Sequence, residues 1–383
     1  MICRQIENGG VTSPAGFTAG AVYAGVKSRK SYKPDVAILF SERPGTACAA
    51  LFTTNRFCAA PVTLGRETAA GGKARGIVIN SGNANAGTGQ EGLAAAREVE
   101  ACAEALLKLQ PGELLVSSTG VIGETFPTEK VKDAVRRIVP VLSKDGGTAA
   151  AWAIMTTDKM RKEYAGTLQL KGGPVTVGCM AKGSGMIHPN LATTLCFLTT
   201  DAAVEPELMH GMLVKACEDS FHMLTVDGDT STNDSLIMLA NGASGVTVTD
   251  PEDIKDFETL LSMILGDMAR RIAADGEGAE HMLTVEVRGL ALRQEARGIA
   301  RAVARSNAVK AALGHGKLSE ALVLAAAGSA ESTADFSLAR CRIELGTSAA
   351  KILLDFNGGP ESATAYGCDL TEEYVHLNGD YRS

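Results

Sequence analysis

Mixed α and β structure, with helices layered on sheet, is the fold class this sequence predicts. Short apolar runs rich in β-branched residues recur along the chain, bounded by Gly, Asn or Asp, as strands are. Between them stand longer stretches with helical spacing and recognisable ends. Composition agrees. Of 383 residues 45% are hydrophobic, only 4% are aromatic and 42 are Gly. Such a chain builds its core from Ala, Val, Leu and Ile and turns tightly. No internal repeat, low-complexity tract or linker interrupts the pattern.

In chain order, RGIVIN (75–80) is the first clear strand. Residues 93–109 are rich in Ala, Leu and Glu and read as a helix that stops at Pro111-Gly112. LLVSS (114–118) is a strand, and residues 129–139 a helix with Val131, Ala134, Val135 and Ile138 on one face. Strands follow at VTVGCMA (175–181), LCFLTT (195–200) and LIMLA (236–240). Residues 251–274 form a long helix, with Asp250 as N-cap and Pro251 at the first helical position. Its apolar stripe is Ile254, Phe257, Leu261, Ile264, Met268 and Ile272. LTVEV (283–287) is a strand, residues 294–313 one further long helix ending at Gly314, and CRIEL (341–345) and KILLDF (351–356) the last strands.

Several function classes are excluded or unsupported. The formal net charge of -7 argues against a nucleic-acid partner. Nine cysteines, an odd number without a CxxC pair or zinc-type spacing, read as free thiols in a reducing compartment. The six histidines are scattered and support no metal site. DGDTSTND (227–234) offers Asp227, Asp229 and Asp234 but lacks the Gly and Glu of a calcium loop. NSGNANAGTG (80–89) lacks the phosphate-cradle signature, so no nucleotide cofactor is implied. MICRQIENGG at the N-terminus resembles neither a signal nor a transit peptide. No stretch reaches the roughly 18 apolar residues that span a bilayer. The expectation is a soluble cytoplasmic protein with no metal and no membrane partner.

One stretch asks for chemistry. KGSGMIHPNLATTLCFLTTDA (182–202) runs from a glycine turn through Ala192, Thr193 and Thr194 into an apolar strand. A threonine hydroxyl is a poor nucleophile unless a base accompanies it. An N-terminal threonine carries such a base, since its α-amine has a pKa of about 7.7–8.0. An internal threonine gains that amine only if the preceding peptide bond is cut. From spacing alone, Ala-Thr-Thr also reads as the ordinary start of a strand.

AKGSGMIHPNLATTLCFLTTDA resembles the cleavage signature of the ornithine acetyltransferase family, the glutamate N-acetyltransferases of arginine biosynthesis. The family pattern is close to K-G-S-G-M-I-x-P-N-M-A-T-M-L; this chain departs from it at Leu191 and Thr194. INSGNANAGTGQEG (79–92), SSTGVIGE (117–124), MTTDKM (155–160), VDGDTSTND (226–234), DGEGAE (275–280) and EEYVHLNGDYRS (372–383) follow the family order. The resemblance therefore covers essentially the whole chain.

What the resemblance implies is specific. The fold is an α/β sandwich of the ornithine acetyltransferase type with two linked lobes. The chain cuts itself between Ala192 and Thr193 into residues 1–192 and 193–383, which stay in one molecule and assemble as an α2β2 heterotetramer or larger. Thr193 is the nucleophile. Thr119 and Gly120 hold the oxyanion. Thr156, Lys182, Glu277, Asn378 and Ser383 bind substrate along with Thr193. Thr157 is the alternative to Thr156, or a helix cap together with Asp158. The second hydroxyl, at Thr194, has no implied role. Glu280-His281 stands where the family often has Thr-Lys. Acetyl passes from N2-acetylornithine to glutamate through an acetyl-threonine, with no cofactor. Acetyl-CoA is left open as a second donor. Two rival readings stand beside this one: an amidohydrolase or aminopeptidase with the same N-terminal nucleophile, and an uncleaved binding protein.

Overall fold

The computed structural model describes residues 3–27, 32–188 and 194–379. The first half of the chain forms β1 (Cys3–Gln5), β2 (Phe17–Val22), β3 (Val36–Ser41), β4 (Ala47–Phe52), α1 (Ala60–Ala70), β5 (Gly76–Asn83) and α2 (Gly89–Leu107). Then come β6 (Leu114–Val121), α3 (Thr128–Ile138), α4 (Gly147–Ala153), β7 (Lys162–Leu170) and β8 (Gly173–Lys182). The second half forms β9 (Leu195–Thr200), α5 (Pro206–Glu218), β10 (Ser235–Ala240), α6 (Pro251–Ala274), β11 (Met282–Leu290), α7 (Arg293–Ala304) and α8 (Asn307–Gly314). It ends with α9 (Glu320–Ala327), β12 (Arg340–Leu345), β13 (Ala349–Asp355), β14 (Glu361–Cys368) and α10 (Glu372–Gly379).

Two sheets stack face to face. The six-stranded sheet has the order β1-β7-β8-β9-β10-β4 and the smaller one β2-β3-β5-β6. Met180, Phe197, Ile237 and Leu239 of the first meet Leu39, Ile77, Ile79 and Leu115 of the second. The outer face of the large sheet, with Val177, Leu198 and Met238, lies under α5 and α6. The outer face of the small sheet, with Ile38, Val78 and Val116, lies under α2 and α3. The result is an α–β–β–α sandwich. β9 and β10 are covered on both faces and buried at every position, which is why LCFLTT and LIMLA read as continuous apolar runs. A second lobe packs the sheet β12-β13-β11-β14 against α7, α8 and α9. Helix α6 links the lobes, since it covers the large sheet and also touches β11 and β14.

The long helix expected over residues 251–274 spans those residues, and the Asp250 side chain caps it by accepting the N–H of Glu252 (2.9 Å). The single helix expected over 294–313 is two helices. The chain leaves α7 at Arg305, and the Ser306 hydroxyl accepts the N–H of Val309 (3.3 Å) to start α8. A serine that offers its oxygen to the backbone favours such a restart over a continuous helix. The helix expected from residue 93 begins four residues earlier, and Lys108, at φ 57°, closes it in the left-handed conformation before Pro111 is reached. Strands β1 to β4, β7 and β14 carried no clear sequence signal. Their runs, such as FTAGAV, ACAALF and KEYAGTLQL, are diluted by Ala, Gly and Thr. The nine cysteines are free thiols, five of them buried. Among the described residues no helix is long and apolar enough to cross a membrane.

Ala192 and Thr193, where the expected division into residues 1–192 and 193–383 falls, lie outside the described residues, as does Ser383. The strands on either side of that junction, β8 and β9, are antiparallel neighbours with Lys182 opposite Leu195. Both pieces therefore contribute strands to one sheet.

Candidate active site

Strands β5 and β6 are parallel, so their C-terminal ends emerge together, with Ser81 paired to Thr119 and Gly82 to Gly120. Gly120 has φ +130°, and a Cβ there would lie 2.3 Å from the Gly82 carbonyl carbon. Only glycine permits this approach. The asparagines of NSGNANAGTG serve as scaffold. Asn80 Nδ2 donates to the carbonyl of Asn83 (2.8 Å), and Ser118 Oγ donates to Asn80 Oδ1 (2.6 Å). Asn233, from the loop before β10, donates to the carbonyls of both Ala84 (2.7 Å) and Ser118 (2.8 Å). Thr119 and Gly120 are thereby fixed on a cavity wall.

Lys182 ends β8 and is only 3% exposed. Its Nζ donates to Thr156 Oγ1 (2.9 Å) and to Thr119 Oγ1 (3.3 Å). Burial lowers its pKa, while the nearby Asp158 carboxylate works against that shift. Thr156 and Thr157 have separate tasks: Thr156 takes the lysine, and Thr157 donates to Glu277 Oε1 (2.6 Å). No helix starts at the T-T-D triplet. Asp158 instead accepts the N–H groups of Thr156 (3.1 Å) and Gly183 (2.8 Å). Glu277 is held from its other oxygen by Asn378 Nδ2 (2.8 Å), which brings α10 to the site. A Cβ on Gly185 would lie 2.1 Å from Glu277 Oε2, so the glycine turn is shaped to this carboxylate.

Behind these groups lies a buried ion cluster. Lys162 is fully buried and bonds Asp158 Oδ1 (2.8 Å) and Asp275 Oδ2 (2.5 Å). Burial works against the Asp158 carboxylate, but Lys182, Lys162 and its hydrogen bonds outweigh this and hold its pKa down at about 2. Two cations, Lys162 and Lys182, thus face two carboxylates, Asp158 and Asp275. Asp275 also accepts the N–H of Lys159 (3.1 Å), and its carbonyl accepts Ser184 Oγ (2.8 Å). The segments around residues 158, 183 and 275 are tied at one point.

The resulting cavity, about 250 Å³, is lined by Thr119, Gly120, Thr156, Lys182, Glu277 and Asn378. Every expected site residue within the described part of the chain lines it. Asp227, which also lines it, accepts the N–H groups of Met186 (2.6 Å) and Ile187 (2.8 Å) and so shapes the loop ahead of residue 189. Among the described residues no cluster of His, Cys, Asp and Glu is arranged to hold a metal ion. The pair whose role was open, Glu280-His281, is bound by Asp369: both N–H groups reach its carboxylate (3.0 and 3.1 Å), and His281 Nδ1 lies 2.8 Å from it.

The ArgJ family model matches residues 18–350 and 320–383 of this sequence. The chain belongs to the ArgJ family. It is an enzyme, an acetyltransferase of the ArgJ type, as its motifs implied. The arginine biosynthesis bifunctional protein ArgJ of Symbiobacterium thermophilum is 44% identical over 400 residues, covering 98% of this chain and 99% of that protein. The protein of the same name from Dehalococcoides mccartyi is 43% identical over 402 residues, covering 98% of each. Among solved structures, ornithine acetyltransferase from Mycobacterium tuberculosis, complexed with ornithine, is 40% identical, covers 50% of this chain and 100% of that one, and superposes with a TM-score of 0.46.

Asn233, on the cavity wall, and Lys162, in the ion cluster behind it, are the residues that sequence reading missed. Lys162 stands two positions beyond MTTDKM with no periodicity to mark it, and Asn233 is one polar residue among many in DGDTSTND. Asp275 lay inside a quoted motif without an assigned structural role, and Asp158, read as a possible helix cap, instead anchors the turn and the buried ion cluster.

Proposed function

We propose that this ArgJ-family enzyme moves an acetyl group from N2-acetylornithine to glutamate in arginine biosynthesis, by a ping-pong route through an acetyl ester of Thr193. The observation that carries the reading is the convergence of Thr119, Thr156, Lys182, Glu277 and Asn378 on one cavity. Lys182 offers a buried cation to the α-carboxylate of an amino acid, and Glu277 offers a carboxylate to an amine. Both acetylornithine and glutamate carry such groups, so one pocket serves donor and acceptor in turn. The Thr119 hydroxyl and the Gly120 N–H stabilise the oxyanion of each tetrahedral species. Self-cleavage between Ala192 and Thr193 supplies the α-amine that takes the hydroxyl proton. Ser383 completes the substrate contacts. Two copies of each piece assemble as a heterotetramer in the cytoplasm, and the chemistry asks for no metal or other cofactor.

Mixing the enzyme with N2-acetylornithine alone should leave acetyl on the second fragment, and adding glutamate should release it as N-acetylglutamate. If acetyl instead appears as acetate at a rate that glutamate does not change, the protein is a hydrolase. Repeating the assay with acetyl-CoA decides whether that donor is used.

A further inference from the structure

Asp229 lines the cavity but has no part in the mechanism above. Among the described residues the charged side chains on the cavity wall are Lys182, Asp227, Asp229 and Glu277. Two of the three carboxylates are already engaged. Both oxygens of Asp227 accept backbone N–H groups, from Met186, Ile187 and Asp229. Glu277 accepts Thr157 at one oxygen and Asn378 at the other. The Asp229 carboxylate makes no hydrogen bond or ion pair among the described residues. Only its N–H is held, by Asp227 Oδ1 (3.2 Å), and Gly228, at φ +89°, turns the chain into that contact.

Depth orders these charges. Lys182 is buried at the floor, Glu277 is half-buried, and Asp229 is exposed at the rim. An amino acid whose α-carboxylate meets Lys182 extends its side chain away from the floor. Beyond Lys182, every charge it can meet on the described wall is negative. A side-chain ammonium is favoured there and a side-chain carboxylate is opposed.

We propose that Asp229 is a specificity-determining residue, which takes the side-chain ammonium of the acetyl donor at the cavity rim and opposes the side-chain carboxylate of the acceptor. The inference rests on the function proposed above. N2-acetylornithine ends in an ammonium and glutamate in a carboxylate, so one residue acts with opposite sign on the two half-reactions. Glu277 lies deeper, with both oxygens bonded, and Asp229 is the carboxylate left free for the far end of the donor. The rim carboxylate thus favours loading of the enzyme by the donor at the expense of the acceptor.

The test is steady-state kinetics on the purified enzyme at low ionic strength. In a ping-pong reaction kcat/KM for each substrate reports its own half-reaction. Asp229→Asn should lower kcat/KM for N2-acetylornithine about three- to fivefold, the upper end of what an exposed ion pair gives, and should raise it for glutamate. Asp229→Lys should widen both shifts, and Asp229→Glu should stay close to the wild type. N2-acetylnorvaline has the same carbon chain without the ammonium. The wild-type preference for N2-acetylornithine over this analogue should shrink in Asp229→Asn, persist in Asp229→Glu, and weaken as salt screens the rim. A purely structural role would lower both values of kcat/KM together. That result, or two unchanged values, overturns the role of Asp229. A wild-type enzyme that moves no acetyl group from N2-acetylornithine to glutamate removes the proposed function and this inference together; a wild-type enzyme that does so, with Asp229→Asn unchanged toward both substrates, removes only the inference.

Discussion

Lys182 Nζ lies 3.3 Å from Thr119 Oγ1, and the lysine is the donor. The threonine oxygen accepts this hydrogen, so its own hydroxyl hydrogen is left for another acceptor. Lys182 also donates to Thr156 (2.9 Å), which fixes the ammonium between the two hydroxyls. A donor chain from lysine to hydroxyl to cavity is thereby preset, and each link strengthens the next.

Thr119→Ala should therefore lower kcat far more than it raises KM. The expected loss is about 10²–10³, the usual cost of one preorganised oxyanion donor. Thr119→Ser should retain most of the rate. The proposed self-cleavage would pass through a tetrahedral species as well, so the alanine variant should also mature slowly. An unchanged kcat with a raised KM would move Thr119 to ground-state binding. Steady-state kinetics with N2-acetylornithine and glutamate makes the distinction.

Lys162→Met should destabilise the protein by about 3–5 kcal/mol, because it leaves Asp158 and Asp275 buried without their shared cation. Urea unfolding measures the loss. A change below about 1 kcal/mol would mean that the cluster adds nothing to stability. Since Lys162 Nζ bonds Asp158, Asp275 and the Met160 carbonyl, none of which lines the cavity, activity lost at a temperature where the variant stays folded reports displacement of the residue 158 segment.

The pKa of Asp158, held at about 2 in the folded protein, gives an acid limb to stability. An unfolded aspartate titrates near 3.9. The stabilisation is therefore complete above pH 4 and is lost as pH falls toward 2, on the order of 2 kcal/mol in all. Asp158→Asn should be less stable than the wild type at pH 7, and the difference should shrink through this window. A difference that stays constant between pH 5 and pH 2.5 in urea unfolding would contradict it.

How much of this was legible beforehand depends on what each feature rests on. Helix α6 was readable to the residue because its cap, its first-turn proline and its apolar stripe all agree. The break at Ser306 was not, since both halves keep helical composition and only the competing serine oxygen separates them. Strands β2 and β4 hid because an Ala- and Gly-rich strand buried between sheets needs no large side chains to mark it. The residues that line the cavity were named through ordered motifs, but the way they bond to one another was not. That Thr157 serves Glu277 while Thr156 serves Lys182 depends on how two distant turns meet. The buried Lys162 cluster joins residues more than a hundred positions apart and has no local signature.

Maturation offers a direct check of the nucleophile. Denaturing mass analysis should show two fragments of similar size that sum to the 39.7 kDa chain plus one water. Sequencing of the second should read Thr-Thr-Leu-Cys-Phe. A start at Thr194 would show that the wrong threonine was chosen. Thr193→Ala should abolish both the cut and turnover.

The last prediction concerns the base in turnover. If the α-amine of Thr193 activates the hydroxyl, it must be neutral in the free enzyme. Its ordinary pKa is about 7.7–8.0, and a cation close to it would disfavour a second positive charge and lower it. The rate should therefore rise with pH through an apparent pKa at or below ~8. His188 is the histidine closest to Thr193 in sequence. It is half-buried, with Nδ1 3.4 Å from Thr225 Oγ1, and does not line the cavity. Burial lowers its pKa, and Arg305 and Arg301 add to the shift, so it is neutral across the window in question. His188→Gln should preserve the pH limb and most of the activity. A limb that vanished or moved strongly in this variant, with maturation intact, would replace the amine by a histidine-assisted threonine.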